Sequence, residues 1–128
     1  PASAMTGLLK TVGRVRRQIN PSLEVEGILV TLSDSRNNLA HEIEQTIRER
    51  YGSTYRVFDT VIPRAVSAAE APAAGMSVFS YDGDGKVARA FERLAEEVLD
   101  RGQEESTHRA AHSGRFVHVP KRARQRDP

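Results

Sequence analysis

The sequence of 128 residues contains no cysteine and no tryptophan. Without cysteine, disulfide bonds and thiolate metal sites are excluded, and this usage fits a reducing compartment. No apolar run approaches the roughly 18 residues needed to span a bilayer, and no signal-peptide pattern is present. We therefore expect a cytoplasmic protein without a membrane-spanning segment.

Aromatic residues are scarce, at 5% of the sequence, and the hydrophobic fraction is 38%. Average soluble domains are about 45–50% apolar when glycine is included, and the deficit here lies mostly in the last quarter. Residues 1–102 carry 13 basic and 14 acidic side chains, whereas residues 103–128 carry six basic and three acidic ones. We predict a folded part at 1–102 and a basic, disordered tail at 103–128. Because the sequence begins with Pro1, we expect a piece of a longer or processed chain.

Apolar periodicity and capping residues predict the order of the helices and strands. The predicted elements are a helix at 3–19, a strand at 23–32, a helix at 38–51, a strand at 57–62, a helical turn at 67–71 stopped by Pro72, a short third strand at 76–81, and a helix at 86–101 ended by Gly102. A strand, a helix and a strand with short links predict a parallel β-α-β unit. The basic end of the first helix (Arg14, Arg16 and Arg17) is interpreted as a solvated helix terminus rather than a binding patch.

Both main strands are apolar on both faces, which is typical of parallel sheets covered by helices on each side. Two such strands do not make a self-sufficient sheet, because their unpaired edges would invite association. We therefore predict an α/β fold that forms the carboxyl-terminal half of a doubly wound, mostly parallel domain. The second strand stops at Pro63 and presents Arg64 at the strand exit, where open α/β sheets place ligand crevices. The alternative for this stretch is an ordinary strand-to-helix connection.

An ordered set of short motifs resembles one family. The set comprises Gly7-Leu8, Asn20-Pro21-Ser22-Leu23, Gly27-Ile28-Leu29-Val30-Thr31, Asp34-x-Arg36-x-x-Leu39, Val57-Phe58-x-Thr60-x-Ile62-Pro63-Arg64, Glu70-Ala71-Pro72-x-x-Gly75, Tyr81-Asp82 and Leu94-Ala95-x-Glu97. Over roughly residues 5–101 this order is similar to the second half of the ParA/Soj partition ATPases, in the ParA/MinD group of P-loop NTPases with a deviant Walker A motif. Each motif is weak alone, whereas the ordered set is specific.

The resemblance implies an ATP-dependent switch that dimerises, binds DNA without sequence preference on the bacterial nucleoid, and acts with a ParB-type partner in chromosome or plasmid segregation. It places Thr31, Asp34, Ile62, Pro63 and Arg64 beside the adenine base. It places Arg36 and Arg64 on or near the DNA-binding face, although each could equally be a solvated or salt-bridged loop residue. Ser67 stands where the family often has a further arginine, which weakens the expected DNA contact.

The sequence contains no G-x-x-x-x-G-K-[ST] phosphate loop. The family holds ATP and Mg²⁺ with residues of its first half, so we expect neither to bind tightly to these residues alone. We expect no metal site in the chain, because the histidines at 108, 112 and 118 lack further ligands in a fixed geometry. The alternative function is a non-catalytic α/β module that binds DNA or a partner protein.

The first prediction is that residues 1–128 by themselves do not hydrolyse ATP. Phosphoryl transfer depends on positioning and on charge stabilisation by a phosphate loop and Mg²⁺. A phosphate-release assay should therefore match the buffer blank. Phosphate release above the blank that rises with the concentration of the polypeptide would contradict this prediction. Chemical denaturation with added ATP separates the two functions, since the non-catalytic module should fold cooperatively without responding to ATP.

Overall fold

A computed structural model describes residues 2–34 and 36–113. The elements in chain order are α1 (Ala2–Gln18), β1 (Ile28–Ser33), α2 (Asn38–Tyr51), β2 (Val57–Pro63), α3 (Val66–Ala73), α4 (Val78–Tyr81) and α5 (Lys86–Ser113). Within these ranges, no helix combines the length and the apolar content that crossing a bilayer requires.

Strands β1 and β2 pair in parallel, as the sequence pattern predicts, with α2 as the connection. Helix α2 begins at a capped turn, because the Asn37 side chain accepts a hydrogen bond from the Leu39 N–H at 3.0 Å. Strand β1 begins only at Ile28, so the prediction that it starts at residue 23 is wrong for residues 23–27. The sheet of the described residues has two strands, which leaves the far edge of β1 without a neighbour.

Helix α5 covers one face of β2 and forms the core. Ile62 of β2 is buried with Val87 and Ala90 of α5, and partly buried residues such as Leu29 and Leu94 pack around them. Phe58 and Thr60 are buried on the same strand, whereas Asp59 between them is exposed. No residue of β1 is fully buried. The sequence predicts that β1 is covered on both faces. Within the described residues it is not.

Glu97 of α5 stabilises an irregularity in β2. Between the pairs Ile28–Val57 and Val30–Val61, β1 advances by two residues and β2 by four, which is a bulge. The Glu97 carboxylate accepts the N–H of Asp59 at 2.6 Å and the N–H of Thr60 at 3.1 Å. Burial raises the pKa of Glu97, but the hydrogen bonds from Thr60 and Asp59 outweigh it, so the pKa is lowered overall.

Three predictions about the second half of the chain are wrong. Residues 78–81 form the helical turn α4 instead of a third strand, because the Ser77 side chain caps the turn by accepting the Ser80 N–H at 3.2 Å. Helix α3 includes Pro72 and ends one residue later at Ala73, so Pro72 does not stop it. Gly75, with φ of 67°, then reverses the chain in the left-handed conformation that glycine tolerates.

The third error concerns the end of the last helix, since α5 continues through Gly102 to Ser113. Arg101 holds this part of the helix in place. Its guanidinium donates to the Glu26 carbonyl and lies 3.1 Å from the Glu105 carboxylate, one turn along the helix. The first residues of the predicted tail are thus helical. Residues 114–128 lie outside the described residues, and the division at residue 102 stays a prediction.

We predict that Gly27→Ala destabilises the fold. A Cβ atom at Gly27 would lie 2.5 Å from Cε2 of the buried Phe58 ring and 3.2 Å from the Arg56 carbonyl oxygen, so the ring would have to move. Overpacking of this kind costs about 1–3 kcal/mol of unfolding free energy, which urea denaturation measures. Gly102→Ala is the matched control, because nothing lies within 4 Å of its Cβ position. It should stabilise by about 0.5–1 kcal/mol if α5 continues through this position.

We also predict that Glu97→Gln lowers stability at neutral pH by about 1.5–3 kcal/mol, the range for hydrogen bonds to a charged group. The folded-state pKa lies below its ordinary value of 4.5, so the carboxylate contribution is present above that value and lost as pH falls through the folded-state pKa. The wild type should therefore lose more stability than the variant on acidification. Glu96→Gln, at an exposed position, is the control. Equal acid sensitivity of wild type and Glu97→Gln would contradict this assignment.

Candidate functional site

The carboxyl ends of β1 and β2 lie side by side. Ser33 pairs with Pro63, and the Arg64 N–H donates to the Ser33 carbonyl oxygen at 2.9 Å. The loop that follows β1 and the residues that follow β2 therefore leave the sheet at the same edge. This is the edge where open α/β sheets bind ligands. We call this region, residues 31–34, 36 and 62–64, the strand-exit edge.

The loop after β1 is built by local hydrogen bonds. The Asp34 carboxylate accepts the Arg36 N–H at 3.0 Å, and the Asn37 N–H donates to the Asp34 carbonyl oxygen at 3.0 Å. The hydrogen bond from the Arg36 N–H is the main reason that the pKa of Asp34 is lowered. The Arg36 side chain is 91% exposed, and its Nε lies 3.5 Å from the Asp34 carboxylate. The loop thus fixes the backbone and presents the guanidinium to solvent.

The predicted site residues of β2 divide into two groups. The Ile62 side chain is 5% exposed and belongs to the core, so only its backbone can face a ligand at the edge. Pro63 is half-buried, and Arg64 is exposed. Among the described residues, the Arg64 side chain has no ion pair or hydrogen bond, while its N–H is bonded to Ser33. Its guanidinium is therefore available to an anion.

The end of β1 contains a strained residue that sequence reasoning missed. Leu32 has φ of 55°, in the left-handed region, and its side chain is 67% exposed. This conformation costs a residue other than glycine about 1–2 kcal/mol. Strained backbone of this kind is concentrated at functional sites, because the surrounding structure must hold it in place. Thr31, a predicted site residue, precedes Leu32 and is exposed. Nothing in the sequence indicates the strain, since leucine rarely takes this conformation.

Lys86 contributes to the electrostatics of the loop after β1. It is the first residue of α5, and its charge contributes to lowering the pKa of Asp34. The strand-exit edge thus brings together two cations (Arg36 and Arg64) and one carboxylate (Asp34). This arrangement suits oxygen atoms of an anionic ligand, which arginine and lysine recognise through N–H donors.

The described residues contain no group of three or more His, Asp or Glu side chains placed to hold a metal ion. His108 lies on α5, and the side chains of residues 112 and 118, also considered as ligands, lie outside the described residues. The predicted nucleotide and DNA contacts, in contrast, meet at the strand-exit edge, where Ser33 pairs with Pro63.

Comparison with known proteins found no matching family model. It found relatives among curated proteins. The chain is 45% identical over 100 residues to "Chromosome-partitioning ATPase Soj" of Thermus thermophilus, which covers 78% of this chain and 39% of the relative. It is 39% identical over 97 residues to "Chromosome partitioning protein ParA" of Caulobacter vibrioides, covering 76% of this chain and 36% of the relative. It is 35% identical over 98 residues to "Sporulation initiation inhibitor protein Soj" of Bacillus subtilis, covering 77% of this chain and 38% of the relative.

The parallel β1–α2–β2 unit with α5 packed on it defines a mixed α/β protein, consistent with part of a P-loop NTPase domain. The relatives identify the family. Over about three quarters of its length the chain is homologous to the ParA/Soj chromosome-partitioning ATPases, and it spans somewhat more than a third of the length of the relatives named above. The resemblance drawn from its motifs is confirmed.

Proposed function

We propose that this chain is part of an ATP-dependent partitioning switch and that its strand-exit edge contacts DNA without reading sequence. The observation that carries the proposal is the hydrogen bond between the Arg64 N–H and the Ser33 carbonyl oxygen, at 2.9 Å. It ties the two strand exits together and so brings Arg36 and Arg64 to one edge. Both side chains are exposed, and arginine neutralises phosphates independently of base sequence.

Arg64 has a place in both predicted sites, and its main chain and side chain can serve different ligands. Its N–H belongs to the strand-exit backbone, together with Thr31, Asp34, Ile62 and Pro63, which we propose flanks the adenine base of ATP. Its guanidinium is free for DNA. The phosphates and Mg²⁺ would be held by residues outside this sequence, which has no phosphate loop. Dimerisation, a ParB-type partner and association with the nucleoid belong to the same proposal.

The prediction from this site is that Arg36→Ala and Arg64→Ala each weaken DNA binding by the same factor on duplexes of unrelated sequence. Each phosphate contact contributes about 0.9 to the slope of log K against log salt concentration, so each variant should lower the slope by about that amount. Fluorescence anisotropy over a salt series measures it, in the longest natural polypeptide that contains these residues. Arg93→Ala, at an exposed position of α5, is the matched control.

Two results would contradict the proposal. One is a slope that neither variant changes relative to Arg93→Ala. The other is a loss of affinity confined to one DNA sequence, since that would indicate base recognition. Binding that is unaffected by ATP under the same conditions would favour the non-catalytic module over the switch.

A further inference from the structure

A second basic region lies away from the strand-exit edge. It is an open groove of about 800 Å³ between α1 and the end of α2 with the residues that follow it. Among the residues that the structure describes, four cations line it, namely Lys10, Arg14, Arg17 and Arg50, and no acidic side chain does. We call it the α1–α2 groove. The chain as a whole has nearly as many acidic residues (17) as basic ones (19). A groove lined by cations alone is therefore a local excess of positive charge.

The four cations have no internal role that accounts for them. Among the described residues, none of them has an ion pair or a side-chain hydrogen bond. Neighbouring arginines differ in this respect. Arg16 donates to the Leu23 carbonyl oxygen at 2.7 Å, and Arg48 bonds the Glu44 carboxylate at 2.8 Å. The structure thus uses adjacent arginines to hold the fold and leaves these four facing solvent.

The cations are arranged in a row instead of converging on one point. Lys10, Arg14 and Arg17 are spaced four and three residues apart, so they share one face of α1. At 1.5 Å per residue, they extend over about 10 Å of the helix. Arg50 faces them from the end of α2. A row of charges along an open groove fits an extended polyanion better than a small ligand, which requires an enclosed pocket.

Gly13 leaves room for this row. A Cβ atom there would lie 3.3 Å from Nη1 of Arg17, so the guanidinium lies back across the helix over the bare backbone. Glycine inside a helix costs about 1 kcal/mol relative to alanine. Tyr51, Thr54 and Tyr55 line the opposite side and add hydroxyl groups. Hydroxyl groups of this kind commonly donate to phosphate oxygens beside arginine and lysine.

Stabilisation of the helix dipoles explains the groove only in part. Arg17 and Arg50 lie in the last turns of α1 and α2, where cations are favourable. Lys10 lies in the middle of α1, outside the reach of this effect. The dipoles also give no reason for the missing acidic side chains on the other wall. A ligand with regularly spaced negative charges accounts both for Lys10 in the middle of the helix and for the lack of acidic side chains in the lining.

We propose that the α1–α2 groove binds the phosphate backbone of duplex DNA as a second contact surface, which rests on the proposed DNA-binding function. Residues 51–55 precede β2, whereas Arg64 follows it. The two surfaces therefore lie at opposite ends of a strand of seven residues, about 20 Å apart at 3.3 Å per residue. At that separation the groove adds phosphate contacts of its own to those of Arg36 and Arg64.

The test is the double variant Arg14→Gln/Arg17→Gln, since glutamine keeps the helix propensity of α1. In the longest natural polypeptide containing these residues, the slope of log K against log salt should fall by about 1.8 for two lost phosphate contacts. The loss should add to that of Arg36→Ala/Arg64→Ala. Arg14→Lys/Arg17→Lys keeps the charges and should keep the slope. Arg16→Ala is the control on the same helix, since its side chain bonds Leu23 and does not line the groove.

The outcomes separate the two proposals. If Arg14→Gln/Arg17→Gln keeps the wild-type slope while Arg36→Ala/Arg64→Ala lowers it, the groove is not a DNA surface and the proposed function stands. If the wild type shows no salt-dependent DNA binding, both are wrong. Poly-glutamate of matched charge is the comparison ligand. If Arg14→Gln/Arg17→Gln weakens the direct binding of poly-glutamate as much as it weakens the binding of duplex DNA, the groove accepts any polyanion and its assignment to the phosphate backbone is wrong.

Discussion

The parallel pairing of β1 with β2 places every residue of the strand-exit edge. The contact of Ser33 with Pro63 and Arg64 fixes which loop atoms meet, and a shift of one residue would turn each side chain of β2 to the opposite face. Ile62 would then leave the core, and Asp59 would enter it. The pairing is held from one side by α5, through Val87 and Ala90 against Ile62 and through the Glu97 carboxylate at the bulge. The candidate site thus depends on a helix distant in sequence.

The burial pattern is consistent with membership of a larger sheet. Apolar side chains such as Leu39 and Ile43 of α2 remain 58% and 48% exposed, and β1 has no fully buried residue. Parallel strands with apolar side chains on both faces are normally covered by helices on each side. The chain also spans little more than a third of its relatives, and in the two-stranded sheet of the described residues each strand has one edge without a neighbour.

The basic residues serve two purposes, and only their contacts distinguish them. Arg48, Arg56 and Arg101 contact carboxylates or carbonyl oxygens of other elements and hold the fold together. Arg36 contacts only Asp34 of its own loop, and Arg64 and the cations of the α1–α2 groove are left for solvent or a ligand. In the sequence the two sets are intermixed, as Arg14, Arg16 and Arg17 show. Net charge alone, at +2, gives no indication of either surface.

The sequence by itself determined the family, the β-α-β order, the bounds of α2 and the adjacency of the two strand exits. These follow from local periodicity, from the Asn37 cap and from the geometry of parallel strands, whose carboxyl ends lie at the same edge of a sheet. The tertiary structure decided the continuation of α5 past Gly102 through Arg101 and the left-handed Leu32. It also turned the Ile62 side chain into the core and set Arg50 opposite α1. The reason is physical: each of these features depends on a contact between residues far apart in sequence, or on a backbone conformation that local propensity disfavours.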